Sequence, residues 1–206
     1  MENGYMSVKS IATAEITEKK SKFISNIMRV ETVDAANDFI ARIKKKHYDA
    51  RHNVYAYILS DGTKKYSDDG EPSKTGGFPV LELLEKEGYT DVVCVVTRYF
   101  GGILLGTGGL IRAYTLSAKE GLEKAGKLFK KYCDTLKITA DYTFLSKIEH
   151  IIKSEGVTIR DTEYTDKVTV TAVSEVEKTE HLIETLTTEL GVGLTIENLG
   201  KNYVEI

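Results

Sequence analysis

Hydrophobic and polar positions alternate most clearly in the last third of the chain. Alternation at every second residue predicts half-buried strands, and apolar residues three and four positions apart predict helices. Six such segments lie at residues 136–142 (strand), 144–152 (helix), 157–159 (strand), 168–172 (strand), 182–190 (helix) and 194–196 (strand). The order βαββαβ is that of the split-βαβ plan, so this part is predicted to be ferredoxin-like.

The first 132 residues also mix strands and helices, in a less regular order. Strands are predicted at 7–17, 22–30, 53–59 and 91–97, helices at 33–47, 80–87 and from the glycine-rich turn at 101–109 to 125, and a polar loop at 60–77. Residues 91–97 are apolar on both faces, which predicts a buried strand. The fold class is therefore α+β, with one domain at 1–132 and a second at 133–206.

The composition is that of an ordinary globular protein, with 41% hydrophobic and 29% charged residues among 206. The longest run of aliphatic residues and cysteine, at 92–96, is too short to cross a bilayer, and the first residues lack a secretory signal pattern. The two cysteines, Cys94 and Cys133, give no disulfide framework and no CxxC metal pair. We therefore expect a cytoplasmic protein without a membrane partner.

The two predicted domains carry net charges of opposite sign. Residues 1–132 hold 21 Lys and Arg against 17 Asp and Glu, a net charge of +4. Residues 133–206 hold 7 Lys and Arg against 14 Asp and Glu, a net charge of −7. A polyanionic partner such as RNA or the ribosome is therefore expected on the first domain.

Glycine is concentrated in one part of the first domain, since nine of the 17 glycines lie between residues 70 and 109. The helix that follows Gly106, Gly108 and Gly109 carries Arg112 in its first turn. A helix start behind glycines binds anions through free N–H groups and the helix dipole, and a guanidinium adds a charge-assisted contact. The alternative is that these glycines only allow tight turns and close helix packing.

Three carboxylates lie within four residues of the polar loop: Asp68, Asp69 and Glu71. Such a group can hold a hard cation, act as acid or base, or receive cationic side chains of a partner. The alternative is a solvated turn in which aspartates cap the backbone. Lys74 lies in the same loop and adds a positive charge.

Arg98 and Tyr99 follow directly on the buried strand, where a strand end presents side chains to a crevice. Arg98 is expected either to pair with one of the carboxylates or to contact a ligand. His52 precedes the strand at 53–59 and can act as base or ligand, but no second histidine lies at a metal-like spacing. The pattern therefore predicts an anion- or partner-binding surface and indicates neither a metal site nor a cofactor.

Three motifs of the first domain resemble those of the IMPACT family, of the bacterial YigZ type. They are residues 68–73 with Thr75 and Gly77, residues 95–102, and residues 105–106 with 108–114, preceded by Ala50, His52, Asn53, Ala56 and Tyr57. The second domain looks like the small C-terminal domain of bacterial members. Lys74 and Arg51 depart from the family pattern, which has Gly and Ser or Thr there, and both add positive charge.

The resemblance implies that the first domain has the fold of the second domain of a small-subunit ribosomal protein. It also implies a link to translation, because eukaryotic relatives regulate translation under stress. We therefore expect a non-enzymatic regulatory or binding protein that recognises RNA, the ribosome or a phosphate-bearing partner. Lys74, Arg98, Arg112 and the glycine-rich helix start would take phosphate, and Tyr99 or Tyr66 would stack on a base.

The alternative is an Mg²⁺-assisted enzyme that acts on a small phosphorylated or nucleotide substrate. Asp68, Asp69 and Glu71 would then hold the ion or act as base, and the glycine turn would hold phosphate. A third interpretation is a protein–protein adaptor whose loops dock a partner.

Overall fold

The computed structural model describes residues 4–205, except the side chain of Val192. The chain forms two compact units, Tyr5–Phe129 and 130–205, and Gly4 groups with the second. The division falls between Phe129 and Lys130, inside one long strand, whereas the sequence pattern puts it at 132–133. The α+β class is confirmed, because each unit contains both helices and strands.

The first unit contains six strands and three helices. They are β1 (Tyr5–Val8), β2 (Ala12–Glu18), β3 (Ser21–Arg29), α1 (Val33–Lys46), β4 (His52–Ile58), β5 (Lys64–Ser67), α2 (Gly77–Lys86), β6 (Val92–Tyr99) and α3 (Thr107–Ala125). Five of the strands form one antiparallel sheet in the order β2-β3-β6-β4-β5.

Strand β6 lies at the centre of this sheet because both of its faces are apolar. Cys94 and Val96 belong to the core that α2 and α3 cover. Val93 and Val95 belong to the core that α1 covers. The unit therefore has three layers, with α1 on one face of the sheet and α2 and α3 on the other.

Two segments differ from the pattern-based prediction. The polar loop contains the edge strand β5, which pairs with β4 although its residues are mostly exposed and give little alternation. The strand predicted at 7–17 is two strands, because the backbone N–H groups of Lys9 and Ser10 donate to the carbonyls of Gly126 and Ala125 at 3.0 and 3.1 Å. These long-range bonds interrupt the strand between β1 and β2.

Small residues bring α3 close to the sheet. Ala113, Ser117, Ala118 and Gly121 are buried on the sheet-facing side of the helix. A Cβ atom on Gly121 would lie 2.6 Å from Ser25 Oγ in β3, so only glycine fits there. This close packing fixes the first turn of α3 beside the turn between β2 and β3.

The second unit follows the βαββαβ order that the sequence predicts. Its elements are the continuation of β7 (Lys127–Ala140), α4 (Leu145–Ser154), β8 (Thr158–Tyr164), β9 (Val168–Glu175), α5 (Val176–Leu190) and β10 (Leu194–Glu205), with short 3-10 turns at Tyr142–Phe144 and Gly191–Gly193. The antiparallel strand order β10-β7-β9-β8 is that of a split-βαβ sheet. Its core lies between this sheet and the two helices, around Ile138, Val170, Ile148 and Leu186.

Among the residues from 4 to 205, no helix is both long enough and apolar enough to span a lipid bilayer.

Candidate functional site

Asp68 caps the start of α2 from a distance of eight residues. Its Oδ1 accepts hydrogen bonds from the backbone N–H groups of Gly76 and Gly77 at 3.0 and 2.9 Å, and its Oδ2 accepts from Lys74 N at 2.8 Å. These helix-terminal N–H groups lack carbonyl partners within the helix, and a carboxylate there also interacts favourably with the helix dipole. The Asp68 carboxylate therefore stabilises the loop and the helix end.

Asp69 is also held by internal donors. Its carboxylate accepts from Lys44 Nζ at 2.6 Å and from Asn53 N at 2.7 Å. His52 Nδ1 lies 2.9 Å from the Asp69 carbonyl oxygen. A carbonyl only accepts, so Nδ1 carries a proton and donates it from a half-buried ring.

Glu71 and Arg98 meet in the interior, together with a tyrosine of α3. Glu71 Oε1 lies 2.7 Å from Arg98 Nη1 and accepts the Tyr114 hydroxyl proton at 2.7 Å. Burial and the neighbouring Glu71 carboxylate raise the pKa of Tyr114 well above its ordinary value. Arg98 thus takes the carboxylate-pairing role, which was one of the two alternatives for this residue.

The Arg98 guanidinium lies near two phenyl rings. Its Cζ is 5.5 Å from the ring centroids of both Phe23 and Phe100. Arg98 is 6% exposed, whereas Phe100 is 46% exposed. A half-exposed ring therefore lies beside a buried cation at the point where β6 ends and the loop to α3 begins.

Tyr99 bridges a histidine and an aspartate at the opposite side of the strand end. Its hydroxyl donates to Asp49 Oδ1 at 2.9 Å, and His47 Nδ1 lies 3.0 Å from the same oxygen. Burial lowers the pKa of His47, with a further lowering by Lys46 and an opposing contribution from Asp49. The sequence pattern did not single out His47, which looked like a routine cation at a helix end.

The first turn of α3 has the open geometry that its glycines predict. Gly106 precedes the helix with φ of 73°, and no side chain among residues 4–205 caps the N–H groups that follow, including those of Gly108 and Gly109. Arg112 is exposed on this turn. The helix start therefore offers free donors beside an exposed guanidinium.

A groove of about 210 Å³ runs between this helix start and the β2–β3 turn. Its lining residues are Ile16, Glu18, Lys19, Leu105, Gly109, Arg112, Ala113 and Leu116. Lys19 and Lys20 form the turn, with φ of 43° and 64°. Lysine seldom adopts positive φ, so the turn holds two ammonium side chains in a strained backbone beside the groove. We name this feature the hairpin groove.

The sequence pattern missed Lys19 and Lys20. The signal was a Glu-Lys-Lys run between two predicted strands, without the Asn-Gly pair that marks most tight hairpin turns. Gly101 allows the turn to approach the loop before α3 closely, because any larger residue would place a Cβ atom 1.9 Å from the Lys20 carbonyl carbon.

The sequence-predicted site residues fall into separate groups. Glu71 and Arg98 join in one buried pair, Asp69 joins His52, and Asp68 joins Lys74. Arg112 and Gly109 line the hairpin groove with Lys19. Lys74 is exposed, and its Nζ lies 5.0 Å from the Phe78 ring centroid.

The carboxylates of the polar loop do not form a cation cluster. Within residues 4–205, no three or more His, Cys, Asp and Glu side chains are arranged to hold a metal ion. Each of Asp68, Asp69 and Glu71 already accepts at least two internal hydrogen bonds. The polar loop therefore offers no ligand set for the Mg²⁺ ion that the enzyme alternative requires.

The model of the Impact N-terminal domain family matches residues 19–122, half of the chain. IMPACT family member YvyE of Bacillus subtilis (strain 168) is 42% identical over 189 residues, which cover 91% of this chain and 87% of YvyE. The chain belongs to the IMPACT family. A second model, a domain of unknown function called DUF1949, matches residues 138–188 in the second unit.

Other IMPACT proteins match smaller shares of the chain. YigZ of Escherichia coli (strain K12) is 36% identical over 65% of this chain and 68% of YigZ. Protein IMPACT of Rattus norvegicus is 35% identical over 45% of this chain and 31% of the rat protein. A solved structure described as a hypothetical protein has a TM-score of 0.62 and 27% identity, covering 97% of this chain and 99% of that one.

Proposed function

We propose that this IMPACT-family chain is a non-enzymatic regulatory protein that acts in the cytoplasm on translation or the stress response. It binds RNA, free or on the ribosome, through phosphate groups that enter the hairpin groove. The link to translation follows the family to which the chain belongs. The binding mode follows the geometry of the groove.

The observation that carries the proposal is that Arg112 and Lys19 both line one groove, at a helix start without a side-chain cap. A phosphate in the groove would accept hydrogen bonds from the first N–H groups of α3 and from the Arg112 guanidinium. Lys19 would add positive charge from the other wall. Glu18 also lines the groove, and it would disfavour an anion that sits too near the β2 side.

The role of the polar loop supports a binding protein over an enzyme. Asp68 caps α2, Asp69 ties the loop to Lys44 and β4, and Glu71 anchors it to β6 and α3. These carboxylates act as internal anions that shape the unit. An RNA partner would therefore meet the cations of the hairpin groove without a competing cluster of free carboxylates in this loop.

Binding of a single-stranded oligoribonucleotide across a salt series tests the proposal. We expect affinity to fall linearly with the logarithm of salt concentration, as phosphate contacts release counterions. Arg112→Gln should weaken binding and reduce the salt slope by about one unit. Lys45→Gln is the matched control, because Lys45 is an exposed cation on α1, on the opposite face of the sheet.

Two results count against the proposal. One is the absence of RNA binding even at low salt, together with failure to co-sediment with ribosomes. The other is an equal effect of Arg112→Gln and Lys45→Gln, which would show that only net charge matters.

A protein partner is a second candidate, favoured by exposed apolar side chains. Of the thirteen large hydrophobic residues exposed within residues 4–205, five lie between 100 and 116: Phe100, Ile103, Leu104, Ile111 and Leu116. Exposed apolar side chains that form one contiguous patch are typical of a docking site. Cross-linking from a photoreactive residue at position 104 separates the candidates: RNA adducts favour the leading proposal and protein adducts favour this one.

A further inference from the structure

Arg98 lies on the α3 side of the sheet, close to Phe100, the first residue after β6. It pairs in register with Phe23, whose ring contacts Tyr114 of α3 at 5.0 Å between centroids. The Phe100 ring centroid lies 5.5 Å from Arg98 Cζ. The hairpin groove and Arg98 are thus on the same face of the sheet, and the half-exposed Phe100 ring lies next to Arg98.

The Nε–H donor of this guanidinium is buried without a partner within residues 4–205. Arg98 Nη1 donates to Glu71 at 2.7 Å, but Arg98 Nε has no hydrogen-bond partner among the residues that the structure describes. A buried donor without a partner is costly and is seldom retained in a folded protein without a reason. The half-exposed Phe100 ring lies beside this guanidinium, with 5.5 Å between its centroid and Arg98 Cζ.

We propose that Arg98 is a latent phosphate-binding residue, whose Nε–H donates to a phosphate oxygen of the bound partner after Phe100 rotates away. This inference rests on the proposed function, because it adds a second phosphate-binding group on the face of the sheet that carries the hairpin groove. The ligand class is a phosphate diester or monoester, carried by RNA or by a small compound.

The exchange of Phe100 for phosphate is physically favourable. A cation–π contact with a half-exposed phenyl ring is weaker than a charge-assisted hydrogen bond in a partly desolvated site. The Phe100 side chain can rotate about its own χ1 bond, with the strand end left in place. Glu71 and Tyr114 hold the guanidinium in position throughout, so little ordering is needed when the anion arrives.

The Nε–H signal of Arg98 in ¹H–¹⁵N spectra tests the proposal directly. The chain has only six arginines, and Arg98→Lys identifies the signal by its loss. Inorganic pyrophosphate and a short oligoribonucleotide are titrated separately, which distinguishes a free phosphate compound from an RNA backbone. We expect a saturable shift of this signal with at least one of them.

Variants of Phe100 and Leu104 supply the second readout. Phe100→Ala should tighten pyrophosphate binding by about two- to fivefold, the factor that an exposed cation–π contact represents. Leu104→Ala is the matched control, because it removes an 83% exposed side chain of the same loop that does not lie over Arg98. Equal affinities for the two variants would overturn the proposal.

The outcomes separate the two proposals. If RNA binds and depends on Arg112 while neither RNA nor pyrophosphate moves the Arg98 signal at saturation, the latent site is wrong and the proposed function stands. If pyrophosphate moves the Arg98 signal but RNA does not bind, the latent site stands and the RNA proposal is wrong. If neither ligand moves the signal, the latent site is wrong.

Discussion

Glu71 and Arg98 form a buried ion pair with 2.7 Å between Oε1 and Nη1, and their side chains are 3% and 7% exposed. The pair joins the polar loop to the end of β6, and Tyr114 extends it to α3. Three segments that are far apart in the sequence are therefore held by one carboxylate. The polar loop, which the enzyme alternative treats as catalytic, is an anchoring element of the first unit.

Removing Glu71 should strongly destabilise the first unit. Glu71→Ala leaves the Arg98 guanidinium buried without its counter-charge, and we expect a loss of about 3–5 kcal/mol in the free energy of unfolding. Urea denaturation followed by circular dichroism measures it.

The double variant Glu71→Leu with Arg98→Met is the control for this prediction. Replacing both charges by apolar side chains of similar size removes the desolvation cost together with the attraction, so the double variant should be more stable than Glu71→Ala. If Glu71→Ala has the same urea midpoint of unfolding as the wild-type chain, the ion pair does not anchor the loop.

Asp68 should matter as a helix cap. Asp68→Ala leaves the N–H groups of Lys74, Gly76 and Gly77 without their acceptor, and we expect a loss of about 2 kcal/mol, the upper part of the range for caps. Asp68→Asn keeps one acceptor oxygen and should recover part of this loss. Asp38→Ala, an exposed aspartate of α1, should change stability by no more than about 0.5 kcal/mol. A similar urea midpoint for all three variants would contradict the capping role.

The regular elements could be predicted from the sequence because they depend on local periodicity. The βαββαβ order after residue 136 and the doubly buried strand at Val92–Tyr99 follow from apolar spacing alone. Edge strand β5 could not be found in this way, because mostly exposed residues on an edge show weak alternation. Its position is set by pairing with β4.

The candidate site was predicted only in part, and the reason is again the range of the interactions. Arg112 and its glycine-rich turn were found because they lie next to each other in the sequence. Lys19 and Lys20 reach the same place through the backbone approach of Gly101, about eighty residues later, which no local pattern encodes. The sequence also left open whether Arg98 pairs with a carboxylate or contacts a ligand, because the answer depends on burial.

Acidification should weaken the fold through His47. Burial lowers its pKa in the folded chain, whereas the unfolded chain has the ordinary value of about 6.5. Above that value neither state binds the proton. As pH falls below it, the unfolded chain takes up a proton that the folded chain resists, so the free energy of unfolding falls until the lowered pKa is reached. His47→Gln should flatten this part of the stability profile.

Replacement of an exposed histidine is the control for the pH prediction. His150→Gln changes an exposed histidine in the second unit, and it should leave the acid-side slope of the urea midpoint unchanged. An unchanged slope in His47→Gln as well would assign the pH dependence to other groups.

Both cysteines should resist thiol reagents while the chain is folded. Cys94 and Cys133 are fully buried, and burial raises the pKa of each thiol, so little reactive thiolate is available. Labelling with an aromatic disulfide should be slow in buffer and complete in denaturant. Rapid labelling of either cysteine in buffer would show that β6 or β7 opens locally.

Gly101→Ala should separate the β2–β3 turn from the helix start of α3. An added Cβ would lie 1.9 Å from the Lys20 carbonyl carbon and 2.4 Å from Ser21 N, and neither is the end of a flexible side chain. The loop or the turn must therefore shift, at a cost of about 1–3 kcal/mol. Gly88→Ala is the matched control, because Gly88 has φ of 74° in open space away from the hairpin groove and carries only backbone strain. If the groove binds phosphate as proposed, both variants lose stability, but only Gly101→Ala loses RNA affinity. Equal RNA affinities for the two variants would mean that the Lys19–Lys20 turn does not contribute to binding.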